Sequence, residues 1–398
     1  MPVHRHHEAT GVAGIYVHVP FCIRKCPYCD FYSITDRSIT PVYVEAVKHE
    51  MTMTALPAFL FDTIYFGGGT PSLLNVSSIE AIIETAHQQF HIIPQSEITL
   101  EVNPGTVSKR QFEAYQSIRI NRINIGVQSF IDKHLKFLGR VHSSNDARLA
   151  VARAREAGFD NMGIDLIYGI PGQTKSSWLS DLKQAVVFEP EHLSCYMLTY
   201  ESGTPMDADR QSGMFKPLSD EKIKDLFETT LEFLNGKGYV QYEVSSFEKV
   251  NPGTQGSAPN ERYRSRHNQK YWFCDPYFGF GPSAHSYMEP VRYWNVGNVY
   301  EYIDLIKAGK RPVREKENLT TEQLMIEAVY LGLRTTDGIN IKRFDRKFQA
   351  CFHHLFGKDL SGLHDKGLLT ASQDRCGLTQ KGMLFLDAIT DMLVSSLN

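Results

Sequence analysis

The chain has 398 residues, with 42 Lys and Arg against 45 Asp and Glu, a formal net charge of -3. At 42% hydrophobic and 22% charged residues it can bury a core without disulfide or metal staples, and it is not compositionally disordered. The near-neutral balance argues against a broad nucleic-acid-binding surface, and no apolar run reaches the ~18 residues of a membrane span.

Residues 1–12 read as a tail, with His4, His6 and His7 incidental. The short apolar stretch at 12–19 runs into cysteines and reads as a buried strand, not a signal peptide. A cytoplasmic location is expected, and a peripheral position at the inner membrane face is compatible with the composition.

The first half alternates strand and helix. Strands are expected at 14–19, 62–66, 97–102, 122–127, 161–167 and 192–198. Helices are expected at 42–55, 77–89 (capped by Ser77 or Ser78), 109–117, 144–156 (opened by Ser144 or Asn145, with Gly158 as C-cap) and 174–188. Six strands with short connections build a parallel sheet flanked by helices. Six are too few for a closed eight-stranded barrel, which leaves a partial barrel or a doubly wound sheet.

Beyond 198 the pattern weakens. A helix is expected at 220–236 and an antiparallel edge strand at 238–247. An exposed mobile loop is expected at 251–266 and a charged linker at 312–319. From Thr320 a helical module begins, with Leu324, Ala328 and Leu331 on one face and a small hairpin at 368–378, in a winged-helix-like arrangement. The expected division is tail 1–12, core 13–245, loop and accessory region 246–311, and C-terminal domain 312–398.

Of seven cysteines, Cys22, Cys26 and Cys29 fall within eight residues in a CxxxCxxC spacing directly after the first strand, and the other four are scattered. An odd count with one tight group does not read as a secreted disulfide framework. Soft thiolates suit an iron–sulfur cluster or zinc, and the spacing alone leaves both open, together with inert thiols.

The motif resembles that of the radical S-adenosylmethionine superfamily. More narrowly, the chain resembles the oxygen-independent coproporphyrinogen III oxidase family and its HemW-like haem chaperone branch. The resemblance rests on GIYVHVPFCIRKCPYCDF at 14–31, FGGGTPSL at 66–73, EVNPG at 101–105, GVQSF at 126–130, Leu138-Gly139-Arg140 and DLIYGIPG at 165–172, and it extends into the C-terminal module. It implies an α/β fold: a partial (β/α)6 barrel with additional edge strands and a small C-terminal helical, winged-helix-like domain. It also implies that Cys22, Cys26 and Cys29 hold a [4Fe–4S] cluster. The open iron of that cluster binds S-adenosylmethionine, which an electron cleaves to methionine and a 5′-deoxyadenosyl radical.

By the same resemblance, Gly67, Gly68, Gly69 and Thr70 lie against the methionine amino group, and Glu101 contacts the methionine moiety. Gln128 is a further contact, Arg140 pairs with the carboxylate and Asp165 binds the ribose hydroxyls. Tyr16 packs by the cluster and the cofactor. Taken singly, each of these residues is more often structural. Their shared placement at strand ends gives the set its weight.

Two departures separate the branches. The oxidases of the family carry a cysteine two residues after the third ligand, where this chain has Phe31, as the HemW branch does. The oxidases also carry a longer N-terminal extension, whereas only 21 residues precede Cys22 here. The segment 267–272, HNQKYW, resembles the HNxxYW segment of the HemW branch. Its His267 is the expected haem ligand, and Tyr271 and Trp272 can pack on a macrocycle. Arg262, Arg264 and Arg266 could meet propionates or form a solvated basic loop, and His285 reads as structural.

The resemblance therefore implies a chaperone with haem as cargo and an apo-haemoprotein, a membrane-bound respiratory protein, as recipient. A homodimer is compatible, and no nucleic-acid partner is expected. A coproporphyrinogen III oxidase and a radical enzyme on another substrate are the alternatives, and enzyme status is open.

Overall fold

The computed structural model describes residues 11–54, 56, 59–250 and 263–395. His4, His6, His7, Arg262 and most of the loop expected at 251–266 lie outside the described residues.

Six parallel strands form the centre: β1 (Gly11–Val19), β2 (Phe59–Gly68), β3 (His91–Val102), β4 (Arg122–Gln128), β5 (Met162–Tyr168) and β6 (His192–Met197). They lie side by side in chain order, β1-β2-β3-β4-β5-β6. A doubly wound sheet reverses its order at a switch point. This order never reverses, so the sheet is the partial barrel.

The crossover helices are α1 (Thr40–Met53), α2 (Val76–Gln89), α3 (Lys109–Ser117), α4 (Asp132–Phe137), α5 (Ser144–Glu156) and α6 (Lys175–Val187). The starts of α2, α3, α5 and α6 follow capping chemistry, whereas α1 and α4 begin after Ile39 and Ile131 with no side-chain cap. Asn75, not Ser77 or Ser78, caps α2 by accepting from the Ser78 amide, and Ser143 caps α5 in a reciprocal box with Asp146. Gly158, at φ 99°, supplies the left-handed residue just past α5.

Alternation in the strands separates two faces. Ile15, Val17 and Val19 of β1 are fully buried against the helices. Gly14, Tyr16 and His18 point the other way, in register with Thr63, Tyr65 and Gly67 of β2. Across the barrel the same inward layers carry Thr99 and Glu101, Arg122 and Asn124, Gly163 and Asp165, and His192 and Ser194. The outward face is the core. The inward face is polar.

After β6 come α7 (Pro205–Gln211) and α8 (Asp220–Asn235). The segment expected as one edge strand at 238–247 is a hairpin, β7 (Tyr239–Glu243) and β8 (Ser246–Lys249), with β8 antiparallel to β6. The boundary drawn between 245 and 246 separates the turn of this hairpin from its second strand. Next come α9 (Arg266–Trp272), β9 (Tyr277–Phe280), β10 (His285–Met288), β11 (Val291–Asn295), α10 (Val299–Lys307) and β12 (Val313–Asn318). Strand β9 adds in parallel to β1, and β10 to β12 continue antiparallel to complete a twelve-stranded sheet. The charged linker expected at 312–319 is thus the edge strand β12, whose side chains VREKEN are mostly solvent-facing. Charge is what an exposed edge tolerates.

The C-terminal module comprises α11 (Thr321–Leu333), β13 (Ile339–Asn340), α12 (Ile341–Phe348), α13 (Phe352–Asp365), β14 (Leu369–Ala371), β15 (Arg375–Leu378), α14 (Gln380–Met383) and α15 (Leu386–Ser395). The expected hairpin is β14–β15, and β13 joins it in a three-stranded sheet. Helix α11 buries Leu324, Val329 and Leu333, with Ala328 and Leu331 only half-buried. Among the described residues no helix is long and apolar enough to cross a membrane.

Candidate cluster and cofactor site

The cysteine loop leaves the C-terminal end of β1. The Cys22 amide donates to Ile34 O at 2.9 Å and the Cys29 amide to Cys26 O at 3.1 Å, which folds the loop back on itself. All three thiols are half-buried. Arg24 ties the loop to the segment after α4, donating to Gly139 O at 2.6 Å and Arg140 O at 3.1 Å. Burial pushes the Cys29 thiol up to about 11.

The glycine run after β2 lies directly against this loop. Gly69 N donates to Val19 O at 2.8 Å and Thr70 N to Phe21 O at 2.7 Å. A Cβ on Gly69 would stand 2.7 Å from Phe21 O and 2.9 Å from Val19 O, so only glycine permits this approach. Gly68 adopts φ 103° against the His18 ring, and Gly67 is wedged between Tyr16 and Tyr65. Thr70 Oγ1 sits 3.6 Å from Cys22 Sγ.

The strand-end residues converge as expected at one end of the barrel. Glu101 accepts from Tyr65 OH at 2.7 Å, and burial, with Asp165 nearby, raises its carboxyl to about 7. Asp165 accepts from Asn124 Nδ2 at 2.6 Å, its Oδ1 is buried without a hydrogen bond, and burial raises it to about 6. Gln128 takes a left-handed φ of 66° where β4 slips register against β5. A bulge of this kind re-aims a side chain, and non-glycine residues hold such a φ mainly where the surroundings impose it. Arg140 donates to Gly126 O at 2.9 Å and to the Asn103 side chain, and its Nη1 lies 3.7 Å from Cys26 Sγ. Its Nε is buried with no partner. Tyr16 stacks at 6.2 Å on both Tyr65 and His267, and Phe31 is 62% exposed.

The residues fit an iron–sulfur cluster and a zwitterionic cofactor. Among the described residues no three His, Cys, Asp or Glu side chains converge as a single-ion site needs. A cubane cluster instead takes each thiolate on a separate iron, which suits three sulfurs spaced along one loop. Beside the loop lie orphaned buried polar atoms of opposite character, Arg140 Nε and Asp165 Oδ1, and two carboxyls, Glu101 and Asp165, raised by burial. A ligand bearing both ammonium and carboxylate would pair with them.

His267 sits lower in the barrel. It is in α9, not in an exposed loop, and is 1% exposed. Nδ1 lies 2.8 Å from Thr63 Oγ1 and Nε2 3.0 Å from Tyr271 OH, while Tyr65 stacks on the ring at 5.1 Å. Burial, with Lys270 nearby, lowers it to about 3, so the imidazole is neutral. Both ring nitrogens are therefore engaged. Arg264 is not in a solvated loop either: it is buried, bound to Glu248 at 2.8 Å and Asp337 at 3.0 Å. Arg266 pairs with Asp62 at 3.0 Å. His285 stacks on Trp294 at 5.5 Å.

Tyr65, Asn103 and Asn124 are partners the sequence analysis missed. Tyr65 stands two residues before Gly67 on the same face of β2, and Asn103 lies within the EVNPG segment, so strand alternation and proximity to a motif were the available signals.

A family model described as "Radical SAM superfamily" matches residues 16–185, and one described as "HemN C-terminal domain" matches residues 319–385. The heme chaperone HemW of Bacillus subtilis is 34% identical over 374 residues, covering 93% of this chain and 96% of its own. The heme chaperone HemW of Escherichia coli is 37% identical over 278 residues, 68% of this chain and 69% of its own. The zebrafish (Danio rerio) mitochondrial radical S-adenosyl methionine domain-containing protein 1 is 31% identical, over 97% of this chain and 87% of its own. Among solved structures, coproporphyrinogen III oxidase (HemN) from Escherichia coli aligns with a TM-score of 0.81 at 22% identity, covering 97% of this chain and 91% of that one, which establishes a shared fold.

Proposed function

Because this chain belongs to the family of the heme chaperone HemW, within the radical SAM superfamily, we propose that it binds haem and hands it to an apo-haemoprotein. The observation that carries the proposal beyond family membership is Phe31. It stands exposed beside the cysteine loop, where the oxidases of the family are expected to offer a further thiol. An exposed phenylalanine at a barrel mouth presents an apolar surface to a flat macrocycle and supplies no sulfur or proton donor. Tyr196 and Met197, 40% and 45% exposed at the C-terminal end of β6, add apolar surface at the same end.

Cys22, Cys26 and Cys29 hold the [4Fe–4S] cluster in this reading. Gly67 to Thr70, Glu101, Gln128, Arg140 and Asp165 surround S-adenosylmethionine, with Tyr16 beneath them. When bound, the cluster supplies a single reducing electron. The chain's own residues orient: the glycine run lets the backbone approach, Glu101 and Asp165 meet positive charge and hydroxyls, and Arg140 meets a carboxylate. His267 serves as a haem ligand only once Nε2 leaves Tyr271. The recipient is a membrane-bound respiratory haemoprotein, reached from a cytoplasmic, peripheral position, and the carrier works as a homodimer or alone.

The test is anaerobic. Chain with its cluster reconstituted is offered haem, and separately coproporphyrinogen III with S-adenosylmethionine and reductant. Stoichiometric haem binding without porphyrinogen turnover is expected. Formation of protoporphyrinogen IX without specific haem binding would overturn the proposal in favour of the oxidase.

A further inference from the structure

Outside the barrel mouth, a shallow cavity of about 640 Å³ opens to solvent between the cysteine loop and the segment from α4 to Ser143. Arg24, Lys25, Lys136 and Arg140 line it against a single carboxylate, Asp132. That carboxylate already accepts from the Ser144 amide at 2.7 Å. Lys25 and Lys136 are exposed, and among the described residues neither makes an ion pair. In a chain of net charge -3, this is a local positive field.

The wall of the cavity is one residue away from a cluster ligand. Lys25 and Pro27 flank Cys26, and Arg140 reaches Cys26 Sγ at 3.7 Å. The two sides are fastened together. Arg24 donates across to Gly139 O and Arg140 O, and Gly139, at φ 68°, lets Pro27 press where a side chain would collide. The rim is therefore a rigid basic surface next to the thiols. Its open shape does not enclose a small ligand, which a dedicated pocket would bury over most of its surface.

We propose that this bowl is the docking surface for a small acidic one-electron carrier protein that reduces the cluster. The inference rests on the cluster reading above. Positive charge here steers a negatively charged partner, and the packed contact around Cys26 gives the electron a short through-protein path. The transfer balances simply: the carrier's reduced cofactor loses one electron, the cluster gains one, and no bond or proton moves.

The test titrates the full chain with a purified acidic flavodoxin, in the reconstituted form and in a cluster-free Cys22→Ala, Cys26→Ala, Cys29→Ala chain. Binding to both forms is expected, weakening as salt rises. Lys25→Glu with Lys136→Glu should weaken it by about tenfold, while Lys358→Glu, on the C-terminal module, should not. Cluster reduction by the flavodoxin should slow by a similar factor in the double variant, and reduction by a cationic viologen should not slow. Unchanged affinity in the double variant, salt-insensitive binding, or no binding to either form would overturn the proposal. A wild-type chain that takes up no iron would instead sink the cluster reading, and the cluster-free titration still decides the docking surface.

Discussion

Nε2 of His267 lies 3.0 Å from the hydroxyl of Tyr271, one helical turn later in α9, and this bond stands between the imidazole and any iron. The neutral ring is ready to ligate, but it is held by Thr63 on one side and Tyr271 on the other. Removing the hydroxyl in Tyr271→Phe keeps the packing and frees Nε2. If His267 ligates haem, Y271F should bind haem at least as tightly as wild type, by absorption titration, and His267→Ala should lose the axial-histidine spectrum. Equal spectra for H267A and wild type would mark His267 as a positioning residue of the barrel floor.

Glu101 makes ligand-free stability depend on pH. Its carboxyl is raised from 4.5 to about 7 by burial, so the folded chain holds the proton more tightly than the unfolded one. That contribution is complete below about pH 4.5 and is lost as pH rises through about 7. Glu101→Gln should therefore be more stable than wild type at pH 8 and equal to it at pH 4, in denaturant titrations. Binding of the cationic S-adenosylmethionine should strengthen by at least about tenfold from pH 6 to pH 8 in wild type and by only about twofold in E101Q, where Asp165, raised to about 6, is the carboxyl left to ionise.

Gly69 is fixed by backbone, not by a movable side chain. Gly69→Ala drives a methyl into Phe21 O and Val19 O, which belong to the strand and loop that present Cys22. We expect a loss of about 1–3 kcal/mol in thermal or chemical unfolding. Iron and sulfide uptake on reconstitution should fall with it. Full uptake in G69A would show that the loop can move away without disturbing the thiols.

Arg264 joins the C-terminal module to the barrel edge. It is buried, pairs with Glu248 and Asp337, and stacks over Tyr242 at 5.2 Å. Arg264→Ala removes a guanidinium that is buried between Glu248 and Asp337 and should cost about 3–5 kcal/mol. Protease cleavage between the module and the barrel should appear first in this variant. Unaltered stability in R264A would mean that the other ties, among them Arg334 to Glu243 at 2.8 Å and Arg292 to Glu327 at 2.5 Å, suffice to hold the module.

The barrel was legible because short apolar strands alternate with helical segments, and four of those helices, α2, α3, α5 and α6, have a side-chain cap ahead of them. Segment 238–247 read as one strand because its turn, Val244-Ser245, carries no glycine or proline. Strand β12 read as a linker because an edge strand exposes both its charges and its backbone. At the site, the cysteines, the glycine run and Glu101, Gln128 and Asp165 stood out as motif residues at strand ends, and Arg140 as a motif residue between α4 and α5. Tyr65, Asn103 and Asn124 did not, because their roles come from facing a polar lumen that only the closed curve of the sheet creates. The burial of His267 was illegible for a related reason: α9 packs beneath β1 and β2, over 200 residues away in the chain, as the Thr63–His267 bond shows.

Delivery is measured by transfer. Haem-loaded chain is mixed anaerobically with membrane vesicles holding a respiratory apo-haemoprotein, and haem is followed by its absorption in the sedimented and soluble fractions. Haem should leave the chain, appear in the vesicles with the recipient's spectrum and restore its electron-transfer activity, and free haem at the same concentration should do so more slowly. Haem that stays on the chain, or reaches the recipient no faster than free haem, would rule out delivery by this protein.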